Sequence, residues 1–260
     1  MPPVNLRRLA ALAMLAALAG CSTIKNTVDN NRPPEYFYNR GVSALGLGAW
    51  GRAIRSFQTL DARYPYGAYA EQAQIDIAYA YYRNNQPNEA IDAANRFIRL
   101  HPAYRYVDYA YYLKGLANSD FHHSTLASLF TGNNHSERDT KRLRDAYDAF
   151  RVIVDRFPRS RYAPDSRKRM DYLLNLMAQS ELNIARFYLG RGAYVAAANR
   201  AKQVIEHFQR TPSVEEALAI QAMAYRKMGL KQLADDSLRV LELNFPASPY
   251  IAKVRAVPVG

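Results

Sequence analysis

The body of the chain repeats itself, and this periodicity restricts the possible folds more than any other feature of the sequence. Four segments end with a proline that follows an aromatic residue or a histidine, at Pro65, Pro102, Pro158 and Pro246. A fifth segment, Ile205-Glu-His-Phe-Gln209, has glutamine where the proline would stand. Twelve residues before each of these ends lies an alanine: Ala53, Ala90, Ala146, Ala197 and Ala234. Five segments in phase indicate one unit of supersecondary structure that is used repeatedly.

Each unit carries apolar residues at helical spacing. Four residues after the alanine comes Phe57, Ala94, Phe150, Ala201 or Leu238, and three further on comes Leu60, Phe97, Ile153, Val204 or Leu241. This period of three and four residues is typical of a helix that buries one face. Twelve residues before the alanine, a small residue (Gly41, Ala78, Ala185 or Ala222) would let two helices approach closely. In the third unit Gly115 precedes the alanine by 31 residues, which predicts an insertion of 19 residues at about 119–137.

The spacings between segment ends are 37, 56, 51 and 37 residues. Without the insertion the value of 56 becomes 37, and the value of 51 indicates extra helical sequence around 163–176. The unit resembles the tetratricopeptide repeat, a helical hairpin of about 34 residues. We therefore predict an all-α solenoid of five tetratricopeptide-like hairpins over 35–250, with an insertion in the third and a C-terminal tail at 251–260. Such solenoids present an extended concave surface, which typically binds polypeptides.

The N-terminus has the pattern of an export signal. Two arginines precede a short apolar run, which is below the roughly 20 residues needed to span a bilayer. The run ends in Leu18-Ala-Gly-Cys21, which contains the only cysteine of the chain and resembles the lipobox of bacterial lipoproteins. The resemblance implies a signal peptide at 1–20, a lipidated Cys21 bearing an S-diacylglycerol and an N-acyl chain, and sorting to the outer membrane. The alternative is an ordinary signal peptide with an incidental cysteine. The polar stretch 22–34 is predicted to be a flexible tether.

No catalytic motif is found, so we predict a protein that is not an enzyme and that has no cofactor beyond its lipid. The adjacent histidines His122 and His123 lie in the insertion with only Asp120 near them, which favours a solvated loop over a metal site. The formal net charge of +12 favours acidic partners or anionic surfaces. There is no basic stripe with interleaved aromatic residues, so nucleic-acid binding is not expected.

Several stretches resemble one family closely: Arg63-Tyr-Pro-Tyr-Gly-Ala-Tyr69, Asp76-Ile-Ala-Tyr-Ala-Tyr-Tyr82, Arg96-Phe-Ile-Arg-Leu-His-Pro102 and Arg191-Gly-Ala-Tyr-Val195. Together with the lipobox and the repeats, they resemble the BamD family, the tetratricopeptide lipoproteins of the outer-membrane β-barrel assembly machine. The resemblance implies a lipid-anchored scaffold on the periplasmic face of the outer membrane. Its partners would be the POTRA domains of a BamA-type barrel-inserting protein, other lipoproteins of the complex, and the C-terminal signals of unfolded outer-membrane proteins.

Two candidate binding surfaces follow. In tetratricopeptide proteins the first helix of each hairpin lines the concave face, so a substrate-peptide groove is predicted at Tyr38, Tyr79, Tyr82, Arg83, Tyr109 and Tyr112. Tyrosines stack and arginine pairs with carboxylates, which suits a peptide that ends in an aromatic residue. The alternative is that half or more of these tyrosines only pack the hairpins. Three residues after the repeat alanine, four units have a small side chain, but the fourth unit has Arg200, preceded by Asn199. By the family resemblance, Arg200 and Asn199 are predicted to contact a POTRA domain, whereas a solvated or internally paired arginine remains the alternative.

Two other classes of protein fit part of the pattern. A pilotin-type lipoprotein for secretin assembly should keep a strict 34-residue repeat and lack the insertion. A murein lytic transglycosylase would need a separate catalytic region with an essential glutamate, and no region outside the repeats is large enough.

Overall fold

The computed structural model describes residues 32–119 and 137–260, and the side chains of these residues except 137–139. Cys21 and the histidines of the insertion therefore lie outside the described residues. Within this part of the chain there are eleven α-helices and no strands. In chain order they are α1 (Pro34–Gly46), α2 (Trp50–Arg63), α3 (Ala68–Arg83), α4 (Pro87–Leu100), α5 (Val107–Ser119), α6 (Glu137–Arg156), α7 (Ala163–Gly190), α8 (Tyr194–His207), α9 (Ser213–Lys227), α10 (Lys231–Asn244) and α11 (Tyr250–Ala256).

The helices form five consecutive hairpins, α1–α2 to α9–α10, in which each helix packs against the next one along the chain. The first helices of neighbouring hairpins also contact one another: α1 contacts α3, α3 contacts α5, and α7 contacts α9. The first helices therefore form a more closely spaced layer than the second helices. The more closely spaced layer of a curved solenoid lies on its inner side. The predicted all-α solenoid of tetratricopeptide-like hairpins is confirmed.

The second helices end where the sequence predicts. Helices α2, α4, α6 and α10 each end two residues before the proline of their unit. The residue before a proline avoids the helical region, and Tyr64 accordingly has φ −132° and ψ 70°. Phe208 has φ −126° and ψ 38° although Gln209 follows it. Phe208 packs against two core clusters, one of which includes α8 itself, so the helix end that lacks a proline is fixed by tertiary contacts.

Helix pairs within a hairpin match a small residue to a large one, or two small residues to each other. A Cβ atom added to Gly41 would lie 2.3 Å from Cε1 of Phe57, and one added to Gly115 would lie 2.5 Å from Cε1 of Phe150. In the second and fourth hairpins both equivalent positions are alanines. Ala78 and Ala94 lie in one core cluster, and Ala185 and Ala201 lie in another. Glycine therefore stands in the two hairpins whose second helix has a phenylalanine at this contact, because the ring occupies the place that a Cβ atom would need.

Two features concern the second half of the chain. Helix α7 has 28 residues, twice the length of its partner α8, which agrees with the extra helical sequence predicted around 163–176. The segment 251–260, predicted as a C-terminal tail, contains most of α11, which packs against α9 and α10 and fully buries Val254. The last hairpin of a solenoid exposes an apolar face that needs a cap, and a helix of seven residues is too short to show the repeat pattern. None of the helices in the described ranges is long and apolar enough to cross a membrane.

Candidate functional site

An aromatic and cationic cluster lies where α2 meets α3. The ring of Tyr79 meets the indole of Trp50 edge to face at 6.1 Å. The guanidinium carbon of Arg83 lies 4.5 Å from the centre of the indole ring, and its Nη1 donates a hydrogen bond of 2.8 Å to Oη of Tyr79. A cation over an indole face is stabilised by the charge distribution of the ring. Arg83 is therefore exposed to solvent and yet held in one position.

The next part of this surface is a stack of three tyrosines between α5 and α7. The ring of Tyr162 lies nearly parallel to Tyr109 at 5.3 Å and to Tyr112 at 4.6 Å. Oη of Tyr112 donates to Oδ2 of Asp165 at 2.7 Å, and Nε of Arg169 donates to the same oxygen at 2.6 Å. Burial and this acidic acceptor raise the pKa of Tyr112, and burial raises the pKa of Tyr109 well above its ordinary value. The stack is therefore neutral and rigid across the physiological pH range.

Tyr38 belongs to a third group, around Asp76 of α3. Its Oη donates to Oδ2 of Asp76 at 3.3 Å, and Nε2 of Gln72 donates to Oδ1 at 3.2 Å. Burial raises the pKa of Asp76 to about 6, although both hydrogen bonds act in the opposite direction. Burial and the Asp76 carboxylate raise the pKa of Tyr38 to about 12. This half-buried carboxyl group therefore keeps its proton to a higher pH than an exposed aspartate does.

The six predicted groove residues thus divide into several environments. Tyr79 and Arg83 form one contact, and Tyr109 and Tyr112 share another through Tyr162. Tyr79 and Tyr109 both pack against the core cluster that α3, α4 and α5 share, so they lie on the same part of the solenoid. Tyr82 packs against two hydrophobic clusters, in line with the alternative that some of the tyrosines serve packing. The sequence prediction did not include Trp50, Asp76, Tyr162, Asp165 and Arg169. Trp50 is the only tryptophan, which could have drawn attention to it.

In the C-terminal hairpins an ionic network replaces the aromatic stack. Arg186 of α7 donates two hydrogen bonds to Glu216 of α9, and Oη of Tyr250 in α11 donates to the same carboxylate at 2.8 Å. Burial alone would raise the pKa of Glu216, but these hydrogen bonds outweigh it and hold the pKa below its usual value. The network ties the first helices of the last two hairpins to the capping helix.

The structure also shows the surroundings of Arg200. Its Nη1 donates a 2.9 Å hydrogen bond to Oε2 of Glu181 in α7, and its side chain remains 43% exposed. The equivalent residues Ser56, Ala149 and Ser237 are buried. Asn199 is exposed beside it. Arg200 is therefore paired within its own chain, as in the alternative interpretation, and part of its side chain remains exposed to solvent.

Comparison with known proteins places the chain in a family. The model of the family described as "Outer membrane lipoprotein", YfiO, matches residues 30–241. A protein of Neisseria meningitidis serogroup A is 41% identical over 249 residues, which is 94% of this chain and 92% of the relative. Relatives from Xylella fastidiosa strain Temecula1 and Vibrio cholerae are 38% and 34% identical, over 92% and 91% of this chain and 82% and 97% of their own lengths. All three are named outer membrane protein assembly factor BamD. The chain belongs to the BamD family of outer membrane lipoproteins.

Proposed function

We propose that the protein is a lipid-anchored scaffold for the assembly of β-barrel proteins, on the periplasmic face of the outer membrane. Its first three hairpins receive unfolded barrel precursors, and its last two bind the POTRA domains of a BamA-type protein. The relatives are assembly factors for outer-membrane proteins by name, which supports the general role and does not favour the pilotin alternative. The aromatic surface formed by Trp50, Tyr79, Arg83 and the tyrosine stack supports the precursor site.

The chemistry of this surface suits one kind of peptide end. Arg83 is held over Trp50 with one of its donors on Tyr79, so its position is set before a ligand arrives. A preorganised guanidinium loses little freedom when it binds a carboxylate. Tyr79 and Tyr109 are both half-buried on this surface and supply aromatic area against which an aromatic side chain packs. An extended segment that ends in an aromatic residue and a carboxylate matches both features.

A peptide-binding measurement tests the precursor site. A synthetic peptide with the C-terminal sequence of an outer-membrane barrel should bind the Arg83→Ala variant at least about tenfold more weakly, because a charge-assisted hydrogen bond contributes roughly 1.5–3 kcal/mol. Arg83 is preferred to Tyr82 because Tyr82 packs the core and its loss would disturb the fold. The matched control is Arg99→Ala, which removes an exposed arginine from α4. Equal affinities for wild type and Arg83→Ala, with helicity preserved, would refute this site.

A further inference from the structure

The outer end of the first hairpin carries a pocket that the proposed function does not use. Its volume is about 560 Å³, and it lies between α1 and α2. We call it the terminal arginine pocket; it is lined by Phe37, Arg40, Ser43, Ala44, Leu47, Arg52, Arg55, Ser56 and Thr59. Its three arginines are exposed, and no carboxylate is among the described residues that line it.

An equivalent cavity lies one repeat further along the chain. A cavity of about 300 Å³ lies at the junction of the first two hairpins. Seven of its lining residues stand 37 positions after residues of the terminal arginine pocket: Gln74, Ile77, Tyr81, Glu89, Asp92, Ala93 and Arg96. At this junction α2 covers the cavity and supplies Gln58 and Asp61 to its wall. The terminal arginine pocket is therefore the face on which a preceding hairpin would stack.

The side chains show that this face is not built to receive another hairpin. Where the junction has the buried Ile77, the terminal pocket has Arg40. Where the junction has the acidic Glu89 and Asp92, the terminal pocket has Arg52 and Arg55. A packed helix would remove these charges from water at a large cost in free energy. A polar end would suffice to cap the solenoid, but charges of a single sign favour an anionic ligand.

The surroundings add to the charge and supply an apolar edge. The guanidinium of Arg63 lies over Phe37 at 5.1 Å, and that of Arg32 lies over Tyr36 at 5.1 Å. Both therefore hold their charge at the end of the solenoid that contains the pocket. Leu47, on the rim, is 76% exposed. Clustered cations beside an exposed leucine are typical of a surface that contacts the headgroups and the outer acyl region of a membrane.

We propose that the terminal arginine pocket binds the phosphate groups of anionic phospholipids in the leaflet that holds the lipid anchor. The proposal rests on the anchor at Cys21 that is part of the proposed function. The chain from Cys21 to Pro34 can span at most about 45 Å, so the first hairpin is the part of the solenoid held nearest to the bilayer. A basic patch close to an acyl anchor strengthens membrane attachment and fixes the orientation of the protein.

Vesicle sedimentation of the mature chain carrying Cys21→Ser tests the pocket without the anchor. The protein should bind vesicles that contain phosphatidylglycerol and should not bind pure phosphatidylcholine vesicles. Each arginine close to an anionic surface contributes about 1 kcal/mol, so the triple variant Arg40→Gln, Arg52→Gln and Arg55→Gln should bind about a hundredfold more weakly. The control variant, Arg99→Gln, Arg144→Gln and Arg210→Gln, removes three exposed arginines elsewhere and should retain binding.

Three results would overturn the proposal. The first is absence of binding to anionic vesicles, and the second is an equal loss in both triple variants, which would show that only net charge matters. The third is release by inorganic phosphate far more efficiently than by chloride at the same ionic strength, which would indicate a site for free phosphate instead of lipid. Circular dichroism and the thermal midpoint confirm that each variant is folded. Membrane fractionation of the wild-type protein examines the anchor separately, so the two claims can fail independently.

Discussion

The substitution Gly41→Ala tests whether the first hairpin needs a glycine opposite the Phe57 ring, at the contact between its two helices. The new methyl group would lie 2.3 Å from Cε1 and 2.6 Å from Cζ of Phe57, a ring that is fully buried. Overpacking of this kind costs roughly 1–3 kcal/mol, and the short contacts place this case near the upper end. Alanine gains about 1 kcal/mol in helix propensity over glycine. We therefore expect the free energy of unfolding to fall by about 2 kcal/mol.

The chain supplies a matched control and a rescue. Gly46 is the last residue of the same helix, and an added Cβ would meet nothing within 4 Å beyond the adjoining backbone, so Gly46→Ala should stabilise the protein by at most about 0.5 kcal/mol. In a Phe57→Ala background, Gly41→Ala recreates the alanine pair of the second and fourth hairpins and should become stabilising. The coupling between the two positions should then reach about 3 kcal/mol, measured by urea unfolding of the four proteins. Additive effects, or equal effects of Gly41→Ala and Gly46→Ala, would refute the packing argument.

Three further predictions concern the anchor, the partner surface and pH. Cys21→Ser should release the protein from outer-membrane pellets, and its retention after a high-salt wash would contradict a lipid anchor. Arg200→Ala should weaken copurification with the BamA-type partner at least tenfold, since truncating one side of a desolvated charge pair costs about 2–5 kcal/mol. The control Glu181→Gln should leave copurification unchanged. Equal losses in the two variants would assign Arg200 a purely internal role. The fold raises the pKa of Asp76 from 3.8 to about 6, so between about pH 4 and pH 6 the folded state binds more protons than the unfolded chain, and stability falls as pH rises through that window. Asp76→Asn should therefore raise the free energy of unfolding at pH 7 by about 3 kcal/mol and leave it nearly unchanged near pH 4. A gain of the same size at both pH values would rule out ionisation as the cause.

The repeat pattern predicts the fold well because each of its signals acts locally. A proline ends a helix through its own ring and missing N–H, and a glycine or alanine permits a close contact through its own size. Both effects can be read from a single sequence, and helices α2, α4 and α10 end where the prolines predict. Helix α11 was missed because its role depends on tertiary structure. It covers Leu218 and Leu241, which only the last hairpin leaves open.

The candidate site could be predicted only in part, for a related reason. The repeat register indicates which residues lie on first helices, and this brings Tyr79 and Tyr109 to one surface. It gives no information about residues that reach the surface from elsewhere, such as Trp50 at the start of a second helix or Tyr162 just before α7. These two residues determine whether the tyrosines form an open groove or a closed stack. Their contributions depend on the angles between hairpins, which the spacing of alanines does not encode.

Helix α7 connects the two proposed binding surfaces. Its first turns carry Asp165 and Arg169, which hold Tyr112 in the aromatic stack, and its second half carries Glu181, which holds Arg200. At 1.5 Å per residue, about 18 Å of unbroken helix separates Arg169 from Glu181. In a hairpin of ordinary length, a loop would interrupt the helix between these two residues. The 28-residue helix instead fixes the distance and the rotation between the aromatic stack and the surface around Arg200. The added helical turns therefore give the solenoid a rigid element where the proposed precursor site meets the proposed partner site.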